Sequence, residues 1–292
     1  MKTIKIAGKE YKIIDSEGEI TLAQYSQLRM ILTRKEKVKK YIEAGKVGER
    51  VGHKIEVELE YDEQTEDFKA NKNREVVALL SNIPTDLLEN YPQIADILIE
   101  KLDFGKILKK DKKVHKELIY GTDRFLFKPI NKAEFQRWSD VSRYIKQFGV
   151  WTTILIYFDR FNKKRSKYNR FFPNFDMKSR LIGSLLYKEW GATVDYILNE
   201  INNIKDSFYY VYKCSDWGDT PSKERAELSE VFGWETSIAN LAESGVFGTL
   251  NDVRSSNTLE VLEYINLQTA KSRTEWLEIQ RTKVKNKAKN GK

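Results

Sequence analysis

The side chains here best suited to bind a metal or act as a nucleophile with its base are two histidines, His53 in VGHKI and His115 in KKVHKEL, and the single cysteine Cys214. Neither histidine lies near Cys214 in the sequence, and a structural zinc site needs about four nitrogen or sulfur ligands. No zinc centre follows from this pattern. The loop DWGD, Asp216 to Asp219, offers two carboxylates to a hard cation such as magnesium, but a capped, solvated turn explains the same residues, and no metal is expected. The glycine-flanked serine elbow, the phosphate-cradling G-x-x-x-x-G-K-[ST] loop, the G-x-G-x-x-G turn and the H-E-x-x-H helix are all missing. The expectation is a protein that is not an enzyme, with no catalytic residue and no cofactor.

Two clusters set aromatic rings beside cations: FYYVYK, Phe208 to Lys213, and YNRFFPNF, Tyr168 to Phe175. Single-strand binders use such rings for base stacking. Core or interface packing is preferred here, because rings supply the largest buried area per residue. The net charge of +8 comes from basic runs at Arg34 to Lys40, Lys106 to Lys116, Arg160 to Arg170 and Arg281 to Lys292. The acidic run Glu56 to Asp67 breaks any uniform field, so the basic runs read as solvated surface, with nucleic-acid contact the lesser alternative.

The elements that must carry these residues follow from periodicity. Alternation around Gly8-Lys9-Glu10 predicts a hairpin in TIKIAGKEYKII. Thr21 with Gln24 forms a capping box for a helix bearing Leu22, Tyr25, Leu28 and Leu32, expected to end near Gly45. Ile55, Val57 and Leu59 alternate and suggest a strand or hairpin. REVVALLSNI and PQIADILIEKL predict a pair of helices, the second with Ile94, Ile97, Leu98 and Leu102 on one face.

A second hairpin is expected in ELIYGTDRFLFKPI, and Asn131 with Glu134 is expected to cap the helix that follows. Later helices are predicted over Thr193 to Phe208, after Thr220-Pro221, and from Asn257 toward the basic tail, whose last dozen residues are expected to fray. The fold class is mainly α with small β-hairpins (α+β), a multi-helix protein. Three regions are expected: 1–116, 117–215 and 216–292, with hairpin followed by helix occurring in each of the first two.

An apolar fraction of 40%, an aromatic fraction of 12% and only five prolines predict order along most of the chain. The most apolar run, VWTTILIYF from Val150 to Phe158, falls far short of the roughly 20 residues that cross a bilayer. It reads as a buried helix or strand, or as a groove for a partner helix through Trp151, Tyr157 and Phe158. With one cysteine and no apolar leader, an intracellular protein is expected.

The stretch FGWETSIANLAESGVFGTLNDVRSSNTLEVLEYINL, Phe232 to Leu267, has Phe232-Gly233-Trp234, Leu241-Ala242, an apolar stop at Val246-Phe247 and Val261 to Ile265. In these features it resembles the C-terminal part of tail assembly chaperones and tail-module proteins of tailed bacteriophages, particularly those of Bacteroidetes-type hosts. The GKEY hairpin, ITLAQYSQL and LLSNIPTDLLENYP resemble the family more loosely. That resemblance implies a helical protein of the host cytoplasm that covers the apolar stripes of a tape measure protein until the tail tube forms. A virion structural protein of the tail or neck, and self-association, remain alternatives. Trp151, Tyr157, Phe158, Trp234, Leu241 and Tyr264 are the candidate partner-binding residues.

Overall fold

The computed structural model describes residues 2–6, 8–14, 19–43, 54–61, 65–120, 123–160, 180–212 and 233–290. The fold is mainly helical with small antiparallel sheets, as the periodicities predict. Two units divide the chain: Met1–Asp111 with Gly183–Glu189, and Lys112–Ile182 with Trp190–Lys292.

The first unit opens on strands β1 (Lys2–Ile6) and β2 (Lys9–Ile13), paired antiparallel with Ile4 opposite Tyr11. Gly8 between them takes φ +80°, a conformation open to glycine at little cost. Ile4, Ile6, Tyr11 and Ile13 pack on a buried cluster of Val77, Ile83, Leu88, Ala95 and Leu98. The hairpin is also tied by its backbone, with Ile14 N–H donating to the Leu80 carbonyl at 2.8 Å and Asn82 N–H to that of Lys12 at 3.1 Å.

Helix α1 (Leu22–Thr33) has the expected capping box: Gln24 N–H donates to Thr21 Oγ1 at 3.2 Å, and Thr21 N–H to Gln24 Oε1 at 3.0 Å. It stops at Thr33, well before Gly45. The chain then enters β3 (Glu36–Glu43), which pairs antiparallel with β4 (Lys54–Tyr61), with Ile42 and Ile55 in register. The alternation at Ile55, Val57 and Leu59 therefore did mark a strand, and most of the basic run at Arg34 to Lys40 is its partner rather than helix.

Helix α2 (Glu66–Leu80) begins eight positions before REVVALLSNI, capped by Thr65. It packs against α4 (Pro92–Lys101), reached through α3 (Thr85–Asn90). Pro92 takes the first helical position, where its missing N–H costs nothing. The inward face of α4 is Ala95 and Leu98 with Ile94, Ile99 and Leu102 beside them, whereas Ile97 is 51% exposed, so one member of the predicted face was misassigned. A short α5 (Phe104–Ile107) follows.

In the second unit β5 (Glu117–Tyr120) and β6 (Asp123–Phe127) form the expected hairpin. An unexpected third strand, β7 (Phe158–Arg160), joins it with Phe158 opposite Phe127. The apolar run at Val150 to Phe158 thus divides into helix α7 (Thr152–Tyr157) and the start of β7.

The expected Asn131/Glu134 box is absent: Ile130–Lys132 is a 3-10 turn, and Glu134 itself occupies the cap of α6 (Phe135–Phe148) without a side-chain cap bond. The first N–H of α6, on Phe135, is satisfied instead by the Ser256 carbonyl at 2.9 Å. Gly149, at φ +95°, ends the helix.

Helix α8 (Tyr187–Ser207) starts six positions earlier than predicted and buries Val194, Ile197 and Ile201. The short α9 (Tyr209–Tyr212) follows. Helix α10 (Trp234–Glu243) ends before Gly245 at φ +72°. The unpredicted α11 (Leu250–Ser255) carries its own capping box from Thr249 and Asp252.

Helix α12 (Thr258–Asn290) begins where Asn257 Oδ1 accepts the Leu259 N–H at 2.9 Å, and it continues through residues expected to fray. The helix expected after Thr220-Pro221 lies outside the described residues. Among the described residues no helix is long and apolar enough to cross a membrane.

Candidate functional site

In α6 every side chain from Phe135 to Val141 is buried, polar ones included. An ordinary amphipathic helix buries one stripe, so the start of α6 must satisfy charges inside the protein. Arg137, only 1% exposed, does so as a fork. Its Nε donates to Glu134 Oε2 at 2.7 Å, one terminal nitrogen donates to both Asp159 oxygens at 2.8 Å, and the other donates to the Ile156 carbonyl. The fork joins the cap of α6, the end of α7 and strand β7.

Burial works against the charge on Arg137, but Asp159 and Glu134 outweigh it and push its pKa above the ordinary value. Burial likewise raises the pKa of Glu134; Lys128 and Arg137 together outweigh that and hold its carboxyl below the usual carboxylate range. Lys128 donates to the remaining Glu134 oxygen. Both carboxylates are therefore bound to cations, and through Arg137 they tie the cap of α6 to strand β7.

Aromatic packing surrounds the fork. Trp138 Nε1 donates to the Tyr212 hydroxyl at 2.9 Å, and burial raises the pKa of that phenol. Trp234 stands edge-on to Phe135 at 5.5 Å and to Tyr212 at 6.1 Å. Tyr157 is completely buried; burial first of all raises its pKa, and its hydroxyl has no hydrogen-bond partner among the described residues.

No protein-family model, curated protein or solved structure matches this chain. What the chain can bind must therefore be argued from its own surface.

Four of the six candidate contact residues point inward: Trp151 at 9% exposure, Tyr157 and Phe158 at 0%, and Leu241 at 7%. The apolar run at Val150 to Phe158 is core, not a groove. Trp234 and Tyr264 are half-buried. Tyr264 meets Phe247 edge to face, 5.5 Å between ring centres at 89°. Val246 beside Phe247 is 54% exposed, and Leu267, three positions past Tyr264 on the same helix, is 51% exposed. The Phe247–Tyr264 ring pair, with exposed Val246 next to it in the chain and exposed Leu267 one turn along the helix, makes up a short apolar strip that sequence reasoning found only in part. The signal available was the break itself, since Val246 and Phe247 sit between Gly245 and Gly248, both at positive φ.

Of the other chemical candidates, His115 stacks its ring on Trp190 at 4.7 Å, and its backbone N–H donates to Thr193 Oγ1. His53, Cys214, the DWGD loop and YNRFFPNF lie outside the described residues. In FYYVYK, Tyr212 packs inward and Tyr209 is half-exposed. Among the described residues no group of three or more His, Cys, Asp or Glu side chains could hold a metal ion.

The first unit has a cleft of about 540 Å³ lined by Arg34, Phe68, Asn71, Arg74, Glu75 and Glu89, among others. Arg34 pairs with Glu75 at 2.8 Å and lies over the Phe68 ring, and Arg74 bonds Asn71. One cation and one carboxylate of its walls, Arg34 and Glu75, thus neutralise each other.

Proposed function

We propose that this chain is a non-enzymatic phage tail assembly chaperone, and that it holds an apolar stripe of a tape measure helix against the strip formed by Val246, Phe247, Tyr264 and Leu267. The observation that carries the reading is this half-exposed strip, set on α12 and the α10–α11 connection, within the stretch that resembles the family. A helix laid in such a site is recognised through apolar side chains at spacings of three and four. Moderate affinity suits the role, because the polymerising tube must displace the chaperone. The host cytoplasm is the corresponding compartment.

Co-expression with a tape measure protein tests the reading. The partner should become more soluble and co-purify with this chain. An unchanged soluble fraction together with no co-purification would sink the proposal, and a stoichiometric signal in purified particles would replace it with a structural role in the tail or neck.

A further inference from the structure

We infer that the far end of α12 is a DNA-binding element, a helix whose cations on opposite sides meet the two phosphate chains that border a major groove. RTKVKNKAKN, residues 281 to 290, contains five Lys or Arg and no Asp or Glu, and α12 remains helical through Asn290. Arg281, Thr282, Lys283, Val284 and Asn286 are all exposed. Among the described residues neither Arg281 nor Lys283 has an ion-pair partner.

The spacing gives the geometry. At about 3.6 residues per turn, positions four apart stay on one side of a helix and positions two apart fall on nearly opposite sides. Positions 281, 285 and 289 therefore share one side, and 283 and 287 share the other. One flank between these rows carries Thr282 and Asn286; the opposite flank carries Val284 and Ala288.

A helix lying on a membrane surface needs a broad apolar face opposite its cations, which this segment lacks. A helix resting on one row of phosphates needs cations on one side only. Two opposed rows fit a groove about 12 Å wide that admits a helix between phosphate chains, with the Thr282 and Asn286 flank toward the base edges. The deep, narrow major groove of an RNA duplex does not admit side chains in this way. Cations close to Asn290 also offset the helix dipole, but that benefit is confined to the last turn and does not require Arg281 or Lys283.

The test uses the full chain and a labelled DNA duplex of about 20 base pairs of mixed sequence, read by fluorescence anisotropy between about 50 and 200 mM salt. Five phosphate contacts predict a log–log slope of about −4 to −5, so affinity should fall by roughly two to three decades over that range. Lys283→Gln with Lys287→Gln should reduce the slope by about 2, and Arg281→Gln with Lys285→Gln and Lys289→Gln by about 3. Unchanged helicity by circular dichroism shows that each variant is folded.

Absence of salt-dependent binding overturns the inference, and so does a slope that responds to only one side of the helix. Equal affinity for the matching single strand, or tighter binding to phosphatidylserine vesicles, overturns it as well. The same variants should still solubilise a tape measure protein, so this inference and the chaperone reading stand or fall separately.

Discussion

A hairpin followed by a helix stands at the start of each unit, yet the two are held together by different physics. In the first unit β1 and β2 lay Ile4, Ile6, Tyr11 and Ile13 on an entirely apolar cluster. In the second, β7 closes the sheet and is fastened by Asp159 to the buried Arg137 fork. Apolar burial is non-directional and roughly proportional to area, so the first arrangement should weaken by degrees as methyl groups are removed. A buried ion pair costs desolvation and repays it only when its geometry is complete, so the second should fail abruptly when one partner is lost.

The largest expected effect comes from leaving a buried charge alone. Glu134→Ala with Asp159→Ala leaves Arg137, 1% exposed, without a carboxylate partner and should destabilise the second unit by about 3–5 kcal/mol in denaturant unfolding. All six tryptophans of the chain lie in that unit, so their fluorescence follows it selectively. Replacing the whole set, Glu134→Met with Arg137→Met and Asp159→Leu, should recover most of the loss, because no unpaired charge is then buried. A triple variant as weak as that double variant would show that the fork stabilises by more than mutual neutralisation.

In the first unit Leu80→Ala should cost about 2–5 kcal/mol, read by far-ultraviolet circular dichroism, because the fully buried side chain leaves a cavity. Thr21→Ala, which opens the capping box of α1, should cost about 1 kcal/mol.

The smallest effect is one of pH. The folded pKa of Glu134 lies below its ordinary value of 4.5. Its contribution is therefore fully present above pH 4.5 and is lost as the pH falls through the lower folded value. Glu134→Gln should remove that acid-limb dependence from the tryptophan-detected transition, and an unchanged acid limb would assign the sensitivity to another group.

These two arrangements were not equally legible in the sequence. The first hairpin and the Thr21/Gln24 box could be read directly because their signals lie within a few residues of one another. The Arg137 fork could not, since its partners at Glu134, Ile156 and Asp159 meet only through a three-residue strand paired to β6. Nothing local distinguishes that arginine from a solvated one.

The end of α1 was misread for a related reason. EKVKKYIE has no clear period of its own, and its partner KIEVELEY, ten residues farther on, decides its state. Helix α11 was legible in principle, because Thr249 and Asp252 carry the same three-residue cap signature that revealed α1.

The candidate contact residues show the same division. Trp151, Tyr157, Phe158 and Leu241 stand out in the sequence by apolar character, which marks the core as strongly as it marks a surface. Leu267 looks like one more member of the apolar start of α12, yet the helix turns it outward. Only tertiary contact separates the apolar residues that hold the fold from those left to meet a partner.

The most direct test of the chaperone reading compares wild type with a Val246→Ser and Leu267→Ser double variant in co-expression with a tape measure protein, measuring the soluble fraction of the partner. Both side chains are more than half exposed, at 54% and 51%, so the variant should fold normally. Wild type should raise the soluble fraction and co-purify with the partner, and the double variant should do neither. Equal solubilisation by the two proteins would contradict the assignment of the strip as the binding surface.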